Sequence, residues 1–195
     1  EELDRMLRDK ITQGASAFKT DVFLSHNWAV LEDGTTSNHD RVKTINEALK
    51  ARGWRTWFDS QGDMRGDTLQ AMTEGVDECS LVAVCITREY IEKCKKKAND
   101  NCKLEFEYAY NRKNVNNMIA VVMEPDCANP ATWDGPVGAA LASKLYVECK
   151  GDADADFERA LDDIEARIRQ WAAAASLPAA APAAAAPAAP TRGGG

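Results

Sequence analysis

The chain has 195 residues and a formal net charge of -7, which argues against a general nucleic-acid-binding protein, because phosphates find no broad basic surface on it. No stretch is long and apolar enough to span a membrane and no signal peptide is visible, so we expect no membrane contact in this segment. The six cysteines form no CxxC pair and only two histidines are present, which argues against a metal site such as zinc and favours reduced thiols in the cytoplasm.

The composition divides the chain into three segments. Residues 1–18 carry apolar side chains at helical spacing, which predicts a short amphipathic lead-in helix. Residues 19–171 have the size of one domain with its own core. Residues 172–195 are rich in Ala, Pro and Gly, so we predict a disordered linker. The chain begins with Glu and ends with three glycines, which favours a segment of a longer protein.

Strand-like and helix-like patterns alternate through the domain. The predicted strands are TDVFLS from Thr20, WRTWF from Trp54, LVAVCI from Leu81, MIAVVM from Met118 and KLYVEC from Lys144. The predicted helices are SNHDRVKTINEALKARG, TLQAMTEGVDEC, REYIEKCKKK, CKLEFEYAYNRK and DFERALDDIEARIRQW. Ser37, Asn38 or Asp40 can cap the first of these helices, and Gly53 is placed to end it.

This alternation, with central strands that are apolar on both sides, predicts an α/β fold. We expect a flavodoxin-like three-layer fold, with a five-stranded parallel sheet in the order 2-1-3-4-5 and helices on both faces. Ligands of such sheets bind beyond the carboxyl ends of the strands, where the first and third strands part. That position selects His26, Asn27 and Trp28 after the first strand, Thr87 after the third and Asp59 after the second.

Several nucleotide-binding and phosphate-binding classes are excluded by their missing motifs. The chain has neither GxGxxG nor GxxxxGK[ST], so it lacks the backbone that cradles phosphates in dinucleotide folds and P-loops. A two-component receiver domain needs an acidic pair after the first strand and an Asp after the third, where this chain has Ser25-His26 and Thr87. The loop DSQGDMRGD does not fit the calcium-binding pattern of an EF-hand.

Four motifs in a fixed order resemble the TIR (Toll/interleukin-1 receptor) domain family. They are DVFLSH from Asp21, WRTWFDSQGDMRGD from Trp54, SLVAVCIT from Ser80 and NCKLEFEYA from Asn101. The first resembles box 1 of the family, and residues 59–66 are similar to its BB loop. The resemblance extends from about residue 19 to about residue 171, although the Phe-Trp pair of the third box is not evident.

The resemblance implies signal transduction, as in innate immunity, with one of two kinds of activity. Many TIR domains are adapters that self-associate with other TIR domains through the BB loop, represented here by Asp59, Asp63, Met64, Arg65 and Gly66. Others cleave the nicotinamide–ribose bond of NAD+, which is a substrate and not a bound cofactor. The enzymatic members use a glutamate in a motif resembling WCxxE. NCKLE matches it with Cys102 and Glu105 but has Asn101 in place of the Trp.

The helical periodicity separates the two glutamates of LEFEYAY without help from the family. At about 100° per residue, Glu105 projects at the border of the apolar side, between Ala109 and Tyr108, whereas Glu107 points to the polar side with Lys103. Glu107 is then a solvated charge. Glu105 is half sheltered, and it is either a boundary residue paired with Arg112 or Lys103 or a carboxylate positioned for chemistry.

The other candidates each have a structural and a functional interpretation. Trp28 either packs against the domain or stacks on nicotinamide or adenine. His26 and Asn27 either cap a turn or bind the ligand through hydrogen bonds, and Asp59 either opens its loop or binds ribose. Two functions therefore remain open. One is NAD+ cleavage by Glu105 with His26, Asn27, Trp28, Asp59 and Cys102 around the substrate, and the other is a non-catalytic TIR–TIR adapter module.

Overall fold

The computed structural model describes residues 18–59, 68–96, 100–150 and 154–175. Most of the predicted lead-in helix and the last part of the predicted linker, residues 1–17 and 176–195, lie outside the described residues. So do Asp63, Met64, Arg65 and Gly66 of the predicted interaction loop, which stay predictions.

Five strands and six helices form the described part of the domain. The strands are β1 (Thr20–Ser25), β2 (Thr56–Trp57), β3 (Cys79–Ile86), β4 (Met118–Val122) and β5 (Tyr146–Glu148). The helices are α1 (Asn38–Ala51), α2 (Thr68–Glu78), α3 (Arg88–Lys95), α4 (Asn101–Lys113), α5 (Gly135–Leu141) and α6 (Asp154–Ala175). Short 3-10 turns at Val115–Asn117, Pro125–Cys127 and Pro130–Thr132 lie between them.

The strands form one parallel sheet in the order β2-β1-β3-β4-β5. This confirms the predicted flavodoxin-like α/β fold and its strand order. Because successive side chains of a strand point to opposite faces, Val22 and Leu24 of β1 enter one core and Phe23 enters the other. Every residue of β3 is buried, as the continuous apolar run of its sequence predicts.

Two apolar cores lie on the two faces of the sheet. One is formed with α1 and α6, which contribute Val42, Ile45 and Leu49, and Leu161, Ile164 and Ile168. The other is formed with α2, α3, α4 and α5, through side chains such as Val76, Tyr90, Phe106 and Leu141. The result is the three-layer arrangement that the alternating pattern predicts.

The boundaries differ from the predicted ones at three places. The predicted strand WRTWF contains only two strand residues, because β2 is an edge strand and the backbone N–H of Arg55 donates to the carboxylate of Asp21 at 2.8 Å. The helix α5 was not predicted, since its sequence GPVGAAL has no extended amphipathic pattern. Helix α6 continues to Ala175, so the first four residues of the predicted disordered linker are helical, in keeping with the high helix propensity of alanine.

Helix ends follow the predicted chemistry. The Ser37 hydroxyl accepts a hydrogen bond from the Asp40 backbone N–H at 3.2 Å and so caps α1. Gly53 follows the end of α1 with a φ of +90°, a conformation that glycine adopts without strain. No helix in the described ranges is both long enough and apolar enough to cross a membrane.

Candidate functional site

The candidate site lies at the carboxyl edge of the sheet, where β1 and β3 part. Residues 26–28 follow β1, Phe58 and Asp59 follow β2, and Thr87 follows β3. Helix α4 contacts this edge with its first turn, since the Cys102 thiol lies 3.9 Å from the backbone oxygen of His26. The structure therefore brings the predicted residues that follow three different strands together with those of α4.

Asn27 connects the loop after β1 to two helix ends. Its side-chain oxygen accepts hydrogen bonds from Asn38 Nδ2 at 2.8 Å and from Thr87 Oγ1 at 3.0 Å. The Thr87 hydroxyl in turn accepts from the Tyr90 backbone N–H at 3.0 Å and caps α3. Asn27 is fully buried, and its Nδ2 has no hydrogen-bond partner among the residues that the structure describes. Its observed contacts hold the loop in place.

Two histidines form a hydrogen-bonded pair beside this loop. His26 Nδ1 lies 3.1 Å from the backbone oxygen of Leu24, and His26 Nε2 lies 2.9 Å from His39 Nδ1. A carbonyl oxygen only accepts, so the proton of His26 resides on Nδ1, and Nε2 accepts from the N–H of His39. Burial lowers the pKa of His26 to about 4, and burial also lowers the pKa of His39. Both rings are therefore neutral at physiological pH.

Aromatic rings stack around the histidine pair. The His39 ring lies 3.6 Å from the Trp28 ring and 4.9 Å from the Phe58 ring, and the His26 ring lies 5.1 Å from the Phe58 ring. Trp28 is packed only in part, because 48% of its surface is exposed. It therefore contacts the His39 ring and still has surface available to a ligand.

Glu105 is oriented inward from α4, and one of its carboxyl oxygens is buried. Oε1 of Glu105 has no hydrogen-bond partner within the described parts of the chain. Burial raises the pKa of Glu105 to about 8, the polar Ser25 hydroxyl lowers it in part, and the negative charge of Asp59 raises it further. The carboxyl group is consequently protonated in a large fraction of molecules at neutral pH.

The cations that could have neutralised Glu105 are engaged elsewhere. Lys103 lies 3.8 Å from Glu107 and donates to the backbone oxygen of Lys96, and Arg112 Nε lies 2.7 Å from Asp77. In the described structure, Glu105 keeps an intermediate exposure at the border of α4 but pairs with neither Lys103 nor Arg112. Glu107 is exposed and paired with Lys103, as its place on the helix predicts.

Two further neighbours of the site have hydroxyl groups that the sequence did not single out. Ser25 Oγ lies 2.7 Å from the Tyr90 hydroxyl oxygen, and both residues are buried. His39 and Phe58 were also missed as members of the ring stack. A signal for Ser25 was present, because it ends β1 directly at the predicted edge, but nothing in the helical pattern of α1 distinguishes His39.

Cys102 and Asp59 both interact electrostatically with the Glu105 carboxyl group. Cys102 is buried, and burial raises the pKa of its thiol far above the ordinary value, so it packs as an uncharged side chain. Asp59 is half-buried, and its negative charge acts on Glu105, His26 and His39. Within the described ranges, no group of three or more His, Cys, Asp or Glu side chains is arranged to hold a metal ion.

Comparison with known proteins agrees with this architecture. The model of one protein family, the TIR domain, matches residues 22–164. No curated protein sequence matches the chain. A metazoan TIR-STING receptor from C. gigas in complex with 2′,3′-cGAMP aligns with a TM-score of 0.57 at 16% identity, over 78% of this chain and 40% of that chain.

Two other solved structures are similar. The same C. gigas receptor in a second structure aligns with a TM-score of 0.50 at 16% identity, over 78% of this chain and 41% of that chain. The TIR domains of the activated Roq1 resistosome, which directly recognises the pathogen effector XopQ, align with a TM-score of 0.41 at 16% identity, over 81% of this chain and 84% of that chain. The chain therefore spans less than half the length of the two receptor chains. Because the family match covers more than half of the chain, the chain belongs to the TIR domain family, a family of signalling domains.

Proposed function

We propose that this TIR domain cleaves NAD+ at the nicotinamide–ribose bond and that Glu105 is its catalytic residue. The observation that carries the proposal is the buried Oε1 of Glu105, which has no partner in the described structure and lies where α/β sheets of this order bind ligands. A buried polar atom without a partner costs free energy, so its persistence is typical of a functional site.

The chemistry needs one carboxylate and no metal. When the nicotinamide–ribose bond breaks, its electron pair leaves with nicotinamide, whose ring loses its positive charge, and a ribosyl cation develops. A carboxylate close to that cation stabilises the transition state electrostatically. Water then bonds to the ribosyl carbon and loses a proton, so the products are nicotinamide, ADP-ribose and a proton.

The raised pKa of Glu105 suits a cationic substrate. In the empty site the carboxyl group is largely protonated at neutral pH, since burial raises its pKa to about 8. A nicotinamide ring with its positive charge beside Glu105 favours the ionised form and lowers that pKa. Binding of NAD+ thus produces the carboxylate at the place where the ribosyl cation develops.

The groups around Glu105 supply binding surface for the rest of the substrate. The exposed face of Trp28 offers a stacking platform for nicotinamide or adenine, supported from behind by the His39 ring at 3.6 Å. In this proposal the half-buried Asp59 accepts hydrogen bonds from the ribose hydroxyls. Neutral His26 and His39 add no positive charge that would repel the nicotinamide ring.

Self-association belongs to the same proposal. We propose that copies of the domain assemble through the loop from Asp59 to Gly66 and that assembly precedes cleavage. The competing function is a TIR–TIR adapter without catalysis. The observation in its favour is Asn101, which is exposed at the start of α4 in the position where enzymatic relatives have Trp.

The test is nicotinamide release from NAD+ by the purified domain clustered on a multivalent scaffold. We expect release by the wild-type domain, at least a hundredfold less by Glu105→Gln, and release near the wild-type rate by Glu107→Gln. The two variants make the same substitution on the same helix, two residues apart. Glu107 is the matched control because it is exposed and paired with Lys103.

The outcomes separate the two functions. Equal loss in Glu105→Gln and Glu107→Gln would indicate a general defect of α4 and would contradict a specific role of Glu105. A folded, clustered wild-type domain that releases no nicotinamide would overturn the enzyme and leave the adapter module.

A further inference from the structure

A cavity of about 570 Å³ lies at the amino edge of the sheet, at the opposite end from the candidate site. Its lining includes Met118 and Ile119 at the start of β4, Leu145 directly before β5, and Arg167 and Trp171 near the end of α6. Small-molecule sites in proteins have volumes of about 300–1,000 Å³. The cavity therefore has the size of a ligand site, and it shares no lining residue with the candidate active site.

The charge of this cavity is opposite to that of the whole chain, which is -7. Lys144 and Arg167 line the cavity, and no Asp or Glu of the described ranges does so. The two cations belong to different elements, because Lys144 lies in the connection between α5 and β5 and Arg167 lies on α6. Cations that line one cavity from separate elements produce a local positive potential, which favours an anionic ligand.

Arg167 differs from the other arginines that the structure describes. Each of those is paired with a carboxylate or a backbone carbonyl oxygen. Arg167 is half-buried, and no hydrogen bond or ion pair joins it to another described residue. Lys144 has only a neutral partner there, since its Nζ donates to Asn116 Oδ1 at 2.9 Å. A half-buried guanidinium carries several N–H donors, so Arg167 has donors available for an anion in the cavity.

Aromatic and aliphatic side chains line the rest of the cavity. Trp171 is half-buried, its Nε1 donates to Asn117 Oδ1 at 3.1 Å, and its ring lies edge-to-face with the Phe18 ring at 6.0 Å. These two contacts hold the indole ring in one orientation. Leu81 and Ile119 add aliphatic surface to the same cavity. Surface of this kind is suited to a flat, weakly polar ring of a ligand.

We propose that this cavity binds a mononucleotide, with its phosphate on Lys144 and Arg167 and its base on Trp171. Charged side chains here take the part of the glycine-rich phosphate cradle that the sequence lacks. A bare anion would leave the aromatic surface without a contact, and an uncharged ring would leave Arg167 without a partner. No carboxylate, histidine or thiol of the described ranges lines the cavity, so the nucleotide is bound and not converted. This binding goes beyond the proposed function and does not depend on it.

The experiment is an NMR titration of the ¹⁵N-labelled chain with AMP, followed through the indole N–H signals of its tryptophans. Trp171→Phe and Trp28→Phe assign the signals at the cavity and at the candidate active site. We expect AMP to move the Trp171 signal along a saturating curve. Adenosine and inorganic phosphate, each of which supplies only one half of the ligand, should bind there at least about tenfold more weakly than AMP.

Two variants test the phosphate contacts separately. Arg167→Ala should weaken AMP binding about tenfold, the size of one lost charge-assisted hydrogen bond. Lys144→Glu should weaken it further, because the new carboxylate repels the phosphate. Arg159→Ala is the matched control, since Arg159 lies on the same helix, is exposed and is paired with Asp156. It should bind AMP as the wild type does. Lys144→Glu changes no helix residue, so it decides the question if Arg167→Ala loses its fold.

Three results would overturn mononucleotide binding at this cavity. The first is a Trp171 signal that stays in place at millimolar AMP, including the case in which only the Trp28 signal moves. The second is inorganic phosphate that binds as tightly as AMP, which would show that the base makes no contact. The third is AMP binding that is equally strong in the wild type, Arg167→Ala and Lys144→Glu. Nicotinamide release from NAD+ is measured separately, so its failure would contradict the proposed function and leave this cavity site standing.

Discussion

Two carboxyl groups with different surroundings lie at opposite ends of the sheet, the buried Asp21 and the partly buried Glu105, whose Oε1 is buried. At the start of β1, Asp21 accepts from Arg55 three times, at 2.7 Å and 3.2 Å from the guanidinium and at 2.8 Å from the backbone N–H. At the carboxyl edge, Glu105 has no cation beside it in the described structure, and its Oε1 has no hydrogen-bond partner there.

The difference in charge and hydrogen-bond partners distinguishes a structural carboxylate, Asp21, from the proposed catalytic one, Glu105. Asp21 has its charge neutralised and joins the short edge strand β2 to β1. Glu105 is destabilised in its ionised form, and a cation from outside is what would complete its environment. The same residue class thus stabilises the fold at one edge and, in the proposed function, stabilises a reacting cation at the other.

The largest expected effect on stability is the pH dependence that Glu105 imposes. Its folded-state pKa of about 8 lies above the ordinary glutamate value of 4.5. Its contribution to the free energy of unfolding is therefore fully present below about pH 4.5 and is lost as pH rises through 8. The wild-type free energy of unfolding should therefore fall relative to that of Glu105→Gln by a few kcal/mol between pH 5 and pH 9. Urea unfolding of both proteins at several pH values measures the difference. Parallel curves would show that Glu105 titrates normally.

The next effect concerns the paired carboxylate. Arg55→Ala leaves Asp21 buried without its guanidinium, and we expect a loss of about 3 kcal/mol in the free energy of unfolding. The matched control is Arg112→Ala, whose pair with Asp77 is exposed on both sides and should cost about 1 kcal/mol or less. Thermal and urea unfolding compare the variants. An equal loss of unfolding free energy in the two variants would contradict the claim that the buried pair of Asp21 with Arg55 stabilises the fold more than an exposed ion pair does.

A smaller effect is expected at the rim of the site. Trp28→Ala removes the exposed stacking surface over His39 and should raise the KM for NAD+ about tenfold, the size expected for one lost aromatic stack on a base. The turnover number should change less, because Trp28 does not contact the proposed reacting atoms. Leu145→Ala, a substitution of another exposed apolar side chain, is the control. A wild-type KM in Trp28→Ala would contradict a stacking role for Trp28 in substrate binding and would leave only its packing against His39.

The fold was predictable because its signals are local. Local sequence patterns predict its main elements: continuous apolar runs predict β1, β3 and β4, and an apolar stripe at helical spacing predicts α6. The strand order was predicted from the alternation of strands and helices. The site was predictable only in part. The helical periodicity of α4 predicts that Glu105 lies at the border of its apolar side. The ion pairs that Lys103 and Arg112 form could not be predicted, because they depend on which side chains meet after folding. The pairing of His26 with His39, 13 residues apart, has the same dependence.

The central claim is that the positively charged nicotinamide ring binds beside Glu105 and ionises its carboxyl group. The most direct test of it is to measure proton release on substrate binding. The clustered domain is titrated at pH 7.5 with carbocyclic NAD+, an uncleavable analogue that retains the charged nicotinamide ring, in buffers of different ionisation enthalpy. Glu105 with a pKa of about 8 is mostly protonated there, so binding should release on the order of half a proton per site. The release should vanish in Glu105→Gln and persist in Glu107→Gln. Binding without proton release in the wild type would contradict the placement of the nicotinamide charge beside Glu105.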